Sequence, residues 1–330
     1  MRRREFVALF GAVIVPWAPT ADAQSSRKIA RVGVLWHAAN AEEEDVYLSV
    51  LRKAFDELGY VGERSIHLEH RFPAEKPERF RIMARELVEL NPHAIIAVTT
   101  LGAVELKSAT SKIPIVFVLG QDPVRDGLVE SLARPGGNAT GLSLMSDDLT
   151  AKRLALLKEA VPNFSRIGLL VDPTIRVRHN AIIKAHQEAS QQLGISFGPV
   201  EEIEVADDIE PALARMVKDG VNALSIGPGS QLFNLRRYIG PAALSHKLPA
   251  LGIVGEMVPH GLLLSYGQDL PDFFRRAVTH IDKILKGAKP ADLPVEQPTK
   301  FKLILNRKAA AALSIQFSPA LIATADDVID

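Results

Sequence analysis

The side chains best suited to holding a ligand gather where short apolar runs end. Trp36 closes one such run and His37 follows it; Thr99, Thr100, Leu101 and Gly102 end a second, and Gln121 and Asp122 follow a third. Farther along stand Asp172, Thr174 and Arg178, then Gly227, Pro228, Gly229 and Ser230, with Glu256 and Tyr266 at the exits of the last runs. In a parallel sheet the carboxyl ends of strands open on a crevice, where the following helix presents unpaired N–H groups and the positive end of its dipole. Small residues around Thr100 allow a carboxylate to approach backbone amides, with two hydroxyls as added donors. The same Thr and Ser residues serve equally well as helix caps, and spacing leaves both readings open. Asp122, before Pro123, reads as a turn residue or as an anion for an ammonium group. Trp36 suits a platform under an apolar or planar ligand, and equally a place in the core.

Enzymatic constellations are missing where they ought to stand. The first strand exits through His37, Ala38, Ala39 and Asn40, with no Gly-x-Gly-x-x-Gly, and neither a phosphate-binding loop nor a Gly-x-Ser-x-Gly elbow occurs. His67 and His70 fall on opposite faces of a strand-like run, a poor start for a metal site. His179 and His186 sit two helical turns apart with no carboxylate at ligand spacing, which reads as a solvated helix surface. Nothing in the sequence requires a cofactor or a resident metal ion. A hydrolase or isomerase using Asp122, Glu256 and His37 is a remote alternative.

The elements that would position these residues alternate regularly. Strand-like runs at 31–36, 65–69, 94–98, 114–118, 166–171, 223–226 and 262–266 are separated by amphipathic helical stretches at 46–58, 80–90, 151–160, 181–193, 209–217 and 271–285. Several runs are apolar at successive positions, as strands buried on both faces are. This alternation predicts an α/β protein with parallel sheets and right-handed crossovers. The turn-rich stretch 134–141 interrupts the series and leads into a strand-like 142–145, a second series begins at 167, and 302–305 is strand-like again. Two units result.

The chain has 330 residues, 39 basic and 39 acidic side chains and no cysteine. Its length suits two domains. Neutrality argues against nucleic acid as the main partner, and the absence of cysteine removes disulfides, thiolate metal sites and lipid attachment through an N-terminal Cys. Residues 1–23 read as an export signal: Arg2, Arg3 and Arg4, an apolar stretch at 6–18, then Ala21 and Ala23 at the positions a signal peptidase reads. Cleavage is expected between Ala23 and Gln24. The paired arginines also fit the twin-arginine route loosely. Removing three Arg and two acids leaves the mature chain with one more acid than base.

At this point the sequence resembles the substrate-binding proteins of ABC transporters, the family that includes TrpX-like proteins. The likeness rests on IPIVF at 113–117, DPV at 122–124, GLVESLARPGGNATG at 127–141, KRLALLKE at 152–159, ILKG at 284–287, KPADLPVEQP at 289–298 and Asn306. It spans essentially the whole mature chain, and the block at 134–141 is distinctive. The resemblance implies a type I periplasmic binding fold with two Rossmann-like lobes, 29–144 plus 267–299 and 145–266 plus 300–330, joined by crossings near 143–146, 265–268 and 299–302. It further implies a periplasmic protein that delivers a small organic solute, an amino acid or related carboxylate, to an ABC permease in the inner membrane. Thr99, Thr100 and Asp122 would hold a zwitterion from the first lobe, and Asp172, Thr174, Arg178, Ser230 and Glu256 from the second. Arg176 and Arg178 leave room for a second acidic group on the ligand. A monomer is expected, since both lobes must move and dock. A ligand sensor docking on a membrane receptor is the alternative reading of the same cleft.

Overall fold

Apolar residues at successive strand positions require cover on both faces, and two sheets receive it. The computed structural model describes residues 29–62, 65–144, 149–298 and 300–330. The expected leader and its cleavage point lie outside them, as do 145–146 of the first expected crossing and residue 299 of the third.

The first sheet contains β1 (Ala30–Leu35), β2 (Ile66–Arg71), β3 (Ala94–Thr99), β4 (Ile115–Gly120) and β5 (Ala139–Ser143), all parallel, in the order β2-β1-β3-β4-β5. Alternate residues of β3 point to opposite sides. Ile95 and Ala97 pack with Phe80, Ala84 and Leu87 of α2 (Pro77–Glu89) and with Leu106 of α3 (Thr100–Ala109). Ile96 and Val98 share a core with Leu48, Leu51 and Phe55 of α1 (Asp45–Glu57) and with Phe273, Phe274 and Ala277 of α9 (Leu270–Leu285). Period two in the strand thus meets period 3.6 in the helices.

After β5 the chain passes to a second sheet, ordered β12-β11-β10-β9-β8-β6-β7. Its strands are β6 (Arg166–Val171), β7 (Ser196–Glu202), β8 (Ala223–Ile226), β9 (Ala250–Gly252), β10 (Leu264–Gln268), β11 (Phe301–Asn306) and β12 (Asp327–Ile329). All pairs are parallel except β10 with β11. Helices α4 (Thr150–Ala160), α5 (Arg176–Gln192), α6 (Ile209–Lys218), α7 (Ser230–Asn234) and α8 (Arg236–Ser245) belong to this half, as do α10 (Arg307–Ala312) and α11 (Pro319–Thr324). The chain returns to the first sheet after β10, where Asp269 caps α9 by accepting the Asp272 N–H, and leaves it again before β11. No described helix is long and apolar enough to cross a membrane.

Two sequence expectations change. Trp36 is fully buried, stacked between Phe72 and Phe274 at centroid distances of 6.2 and 5.9 Å. Its Nε1–H donates to His70 Nδ1 at 2.9 Å. Burial, then the Arg52 charge, lowers His70 to about pKa 4, so that nitrogen stays an acceptor at neutral pH. His186 is not on a solvated surface: it is buried, donating from Nδ1 to the Ile182 carbonyl while Nε2 accepts from Ser225. Burial holds it neutral, with a pKa near 4. Truncating Trp36 leaves a cavity between two rings and orphans His70. Trp36→Ala is therefore expected to cost about 3–5 kcal/mol, read as a lower urea midpoint.

Candidate ligand-binding cleft

The exits of β1 to β4 face those of β6 to β9 across a cavity of about 590 Å³. The first half contributes His37, Glu75, Thr99, Thr100, Leu101 and Gln121; the second contributes Thr174, Gly227, Pro228, Gly229, Ser230 and Phe233. Phe80, Leu119, Ile175 and Met257 add apolar wall, and Gln268 and Leu270 close the side where the chain passes between sheets.

Each predicted residue has a definite place. Thr99 caps α3, its hydroxyl accepting from the Gly102 N–H at 3.4 Å, and Thr100 Oγ1 accepts the Gln121 N–H at 3.2 Å. Both still line the cavity beside the helix N-terminus, whose first N–H groups have no partner within the helix. Gly102 does not line it: this glycine packs inward, where a Cβ would lie 3.4 Å from Leu35. Asp122 closes a turn, accepting the Arg125 N–H at 3.1 Å, and is not in the wall.

Asp172 is a scaffold rather than a wall residue. Fully buried, it accepts from the Thr174 N–H (2.8 Å) and hydroxyl (2.5 Å) through Oδ1 and from the Gln231 N–H (2.7 Å) through Oδ2. Burial raises its pKa and these bonds oppose the rise. Gly229 is bound to this arrangement, because a Cβ there would fall 2.1 Å from Asp172 Oδ2 and its φ is +138°. The aspartate thereby fixes the 227–231 turn that forms the wall.

Four further predicted contacts lie outside the lining. Trp36 is in the core. Arg178 sits on α5 away from the wall, and Arg176, which does reach it, forks onto Glu202 at 2.6 Å; a second ligand acid therefore finds no unpaired arginine there. Tyr266 packs near Phe301, and its carbonyl accepts from Arg153. Glu256 is half-buried in the turn Gly255–His260, behind Tyr47; burial above all raises it to about 7.

The structure adds Tyr47, Glu75, Phe233 and Gln268, none marked by the sequence. Tyr47 reads as the buried face of α1, Phe233 lies in a five-residue helix, Gln268 ends a strand, and Glu75 stands in a charged stretch resembling any exposed loop. Tyr47 stacks on Phe274 at 4.6 Å and on Phe233 at 5.4 Å, joining the halves. Beside it, Asn234 donates to Glu75 (3.3 Å), Arg236 to the Glu43 carbonyl (3.0 Å), and Arg237 pairs with Glu42 (3.1 Å). Among the described residues, no group of His, Asp and Glu is placed to hold a metal ion.

His37 is a strongly perturbed group in the wall. It is buried with Glu44 Oε1 at 3.0 Å from Nε2 and Glu75 Oε1 at 2.8 Å from Nδ1. Burial opposes its charge, yet the Glu44 and Glu75 carboxylates outweigh it and raise the pKa from 6.5 to about 9. A cation with a raised folded pKa contributes stability that is complete below about pH 6.5 and lost as pH rises through about 9. Urea unfolding is expected to show a decline on the order of 3 kcal/mol across that window, flattened in His37→Gln. An unchanged slope in the variant refutes the assignment.

The comparisons with known proteins agree with this geometry. Residues 40–329 match the family described as ABC transporter substrate binding protein. A tyrosine-binding protein of Clostridioides difficile (strain R20291) is 25% identical over 266 residues, covering 80% of this chain and 75% of the relative. The crystal structure of an ABC domain in complex with L-Trp from Streptococcus pneumonia superposes with a TM-score of 0.79 at 24% identity, covering 91% of this chain and all of that one. A conserved domain protein of Vibrio cholerae gives 0.80 at 25% identity with the same coverage. The two-sheet α/β architecture is that of type I periplasmic binding proteins. A match over nearly the full length, on a chain whose strand exits face one another across a cavity, identifies it as a member of the ABC transporter substrate-binding protein family.

Proposed function

We propose that this protein is the exported, periplasmic solute-binding component of an ABC importer. It captures an amino acid or related carboxylate with an apolar body between its lobes and delivers it to a permease in the inner membrane. The observation that carries this reading is the cavity of about 590 Å³, walled on one side by the amino end of α3 and on the other by the 227–231 turn. Its volume is of the size that takes small organic ligands. A carboxylate has its place at the N–H groups after Thr99, and Phe80, Leu101, Phe233 and Met257 give apolar cover to the remainder. The tyrosine-binding relative and the L-Trp complex support an aromatic amino acid among the ligands to be tried first. The basic and apolar pattern of residues 1–23 supports export.

The lobes on this reading are 29–144 with 267–299 and 145–266 with 300–330, and three chain crossings between them act as the hinge. A ligand touching both walls favours the closed arrangement by its differential affinity for it. If about 1% of the free protein were closed, roughly 10⁴-fold tighter binding to that state would reverse the ratio. Lobe orientation is then what a permease reads. The protein acts as a monomer, since a permanent partner would restrain one lobe or cover its docking face.

A melting screen of the mature protein against the common L-amino acids and aromatic carboxylates tests the reading. At a ligand concentration one hundred times Kd, binding adds about 2.7 kcal/mol, and a clear rise in melting temperature is expected for at least one bulky apolar amino acid. If none of these solutes raises it, solute capture is refuted.

A further inference from the structure

The cleft wall sets the Glu75 carboxylate beside the cavity in a way that specifies more than a small solute. Both ring nitrogens of His37 face carboxyl groups: Nδ1 is hydrogen-bonded to Glu75 Oε1 at 2.8 Å, and Nε2 lies 3.0 Å from Glu44 Oε1. One ring stands between two carboxyl groups, and burial raises the pKa of the Glu44 carboxyl. Glu44 is fully buried and Glu75 is shielded except toward the cavity it lines. Asp172, facing Glu75 from the other half, adds to the negative field. Arg236 is committed elsewhere: it donates to the Glu43 and Phe233 carbonyls, approaches Asp45 at 3.6 Å and lies over the Phe233 ring. Lys76 and Arg176 also line the cavity, Arg176 being paired with Glu202, and the cavity is the side from which a ligand cation can reach Glu75.

From this the geometry points to Glu75 as the acceptor of a ligand ammonium group, with His37 as the residue that positions its carboxylate; the ligand is a zwitterion rather than a simple carboxylate. The inference rests on the solute-capture reading above and deepens it. His37 and Asn234 both take Glu75 Oε1, leaving Oε2 without a hydrogen bond. Another polar group, on a side chain more than nine-tenths buried, lines the same cavity with no hydrogen-bond partner: Gln268 Nε2. It is an independent sign that the cavity suits a polar head. Spacing fits as well. Glu75 follows β2 and Thr100 follows β3, with β1 between them, so the two exits lie two strand intervals, about 9.6 Å, apart. An α-amino acid head, with one hydrogen bond of about 2.9 Å at each end, spans that gap. Asn234, arriving from the second half, ties the same carboxylate to closure.

Calorimetry on the mature protein tests this with matched pairs: L-tryptophan and indole-3-propionate, L-tyrosine and 3-(4-hydroxyphenyl)propionate, L-phenylalanine and 3-phenylpropionate, L-leucine and 4-methylpentanoate. Whichever amino acid binds, its deaminated partner is expected to bind at least about tenfold more weakly, the worth of a charge-assisted hydrogen bond. Glu75→Gln should lower affinity for the amino acid by a similar factor and leave that of the deaminated acid unchanged. His37→Gln should shrink the ratio between the two, which a purely structural loss would not do. The wild-type pairs decide the matter even where a variant fails to fold. Equal affinity within each pair overturns the assignment of Glu75 while solute capture stands, and binding of no member of any pair overturns both.

Discussion

Strand direction is the constraint on which the rest of this molecule depends. β1 to β5 run one way, and β6 to β10 likewise run parallel to their neighbours, so every loop after a strand emerges on the same edge of its sheet. Where two such edges face each other, helix N-termini and strand-exit loops must line the space between. Only β11 opposes its neighbour, and β12 follows it at the sheet margin, away from the cleft. The cavity is thus a consequence of topology before any side chain is specified.

Side chains then decide how much of that edge is free for a ligand. Many polar groups there are already consumed. Asp172 exhausts both oxygens on the 174 and 231 amides and the Thr174 hydroxyl, Thr99 caps α3, Asp122 holds a turn, and Arg176 is paired with Glu202. What is left over among the described residues is sparse and specific: Gln268 Nε2, Gln121 Oε1 and one oxygen of Glu75. Consumed groups make the wall rigid, and a rigid wall lets a few free groups discriminate, because a wrong ligand leaves them unpaired at the full desolvation cost.

The sequence conveyed the strands and helices whose periodicity is clean. β8 at 223–226 and α6 at 209–218 fall where the apolar spacing places them, and the family likeness foresaw the two-lobed fold. Elements were hidden where a local breaker is overruled by packing. α8 contains Gly240 and Pro241, which read as loop; yet only glycine fits at 240, where a Cβ would fall 2.0 Å from the His260 carbonyl oxygen. β7, with Pro199 inside it and no fully buried residue, lacks the pattern of a core strand. In the cleft, the strand-exit rule located Thr99, Thr100, Gln121, Thr174 and Ser230. It could not tell a lining residue from a scaffold such as Asp172, because both occupy the same position in the chain. Nor could it find Glu75, whose meaning comes from His37 and Glu44, 38 and 31 positions away in the sequence and adjacent only after folding.

That adjacency joins recognition to motion. Phe233 lies on Tyr47, Asn234 on Glu75, and Arg236 on the Glu43 carbonyl, so one stretch of the second half meets the aromatic strut, the charged wall and the start of α1 together. The exposed pairs of Arg237 with Glu42 and Asp45 contribute little, about 0–1 kcal/mol each, and weaken with salt. The Tyr47–Phe233 stack is buried and contributes more, through apolar area as well as ring geometry. These contacts between the halves converge on the carboxylate that has an open oxygen. On the proposed reading, a ligand cation at Glu75 would neutralise the charge that Asn234 of the second half contacts and that raises the Asp172 pKa. Ligand charge and lobe approach would then be coupled through one side chain, the kind of differential affinity that a conformational shift requires.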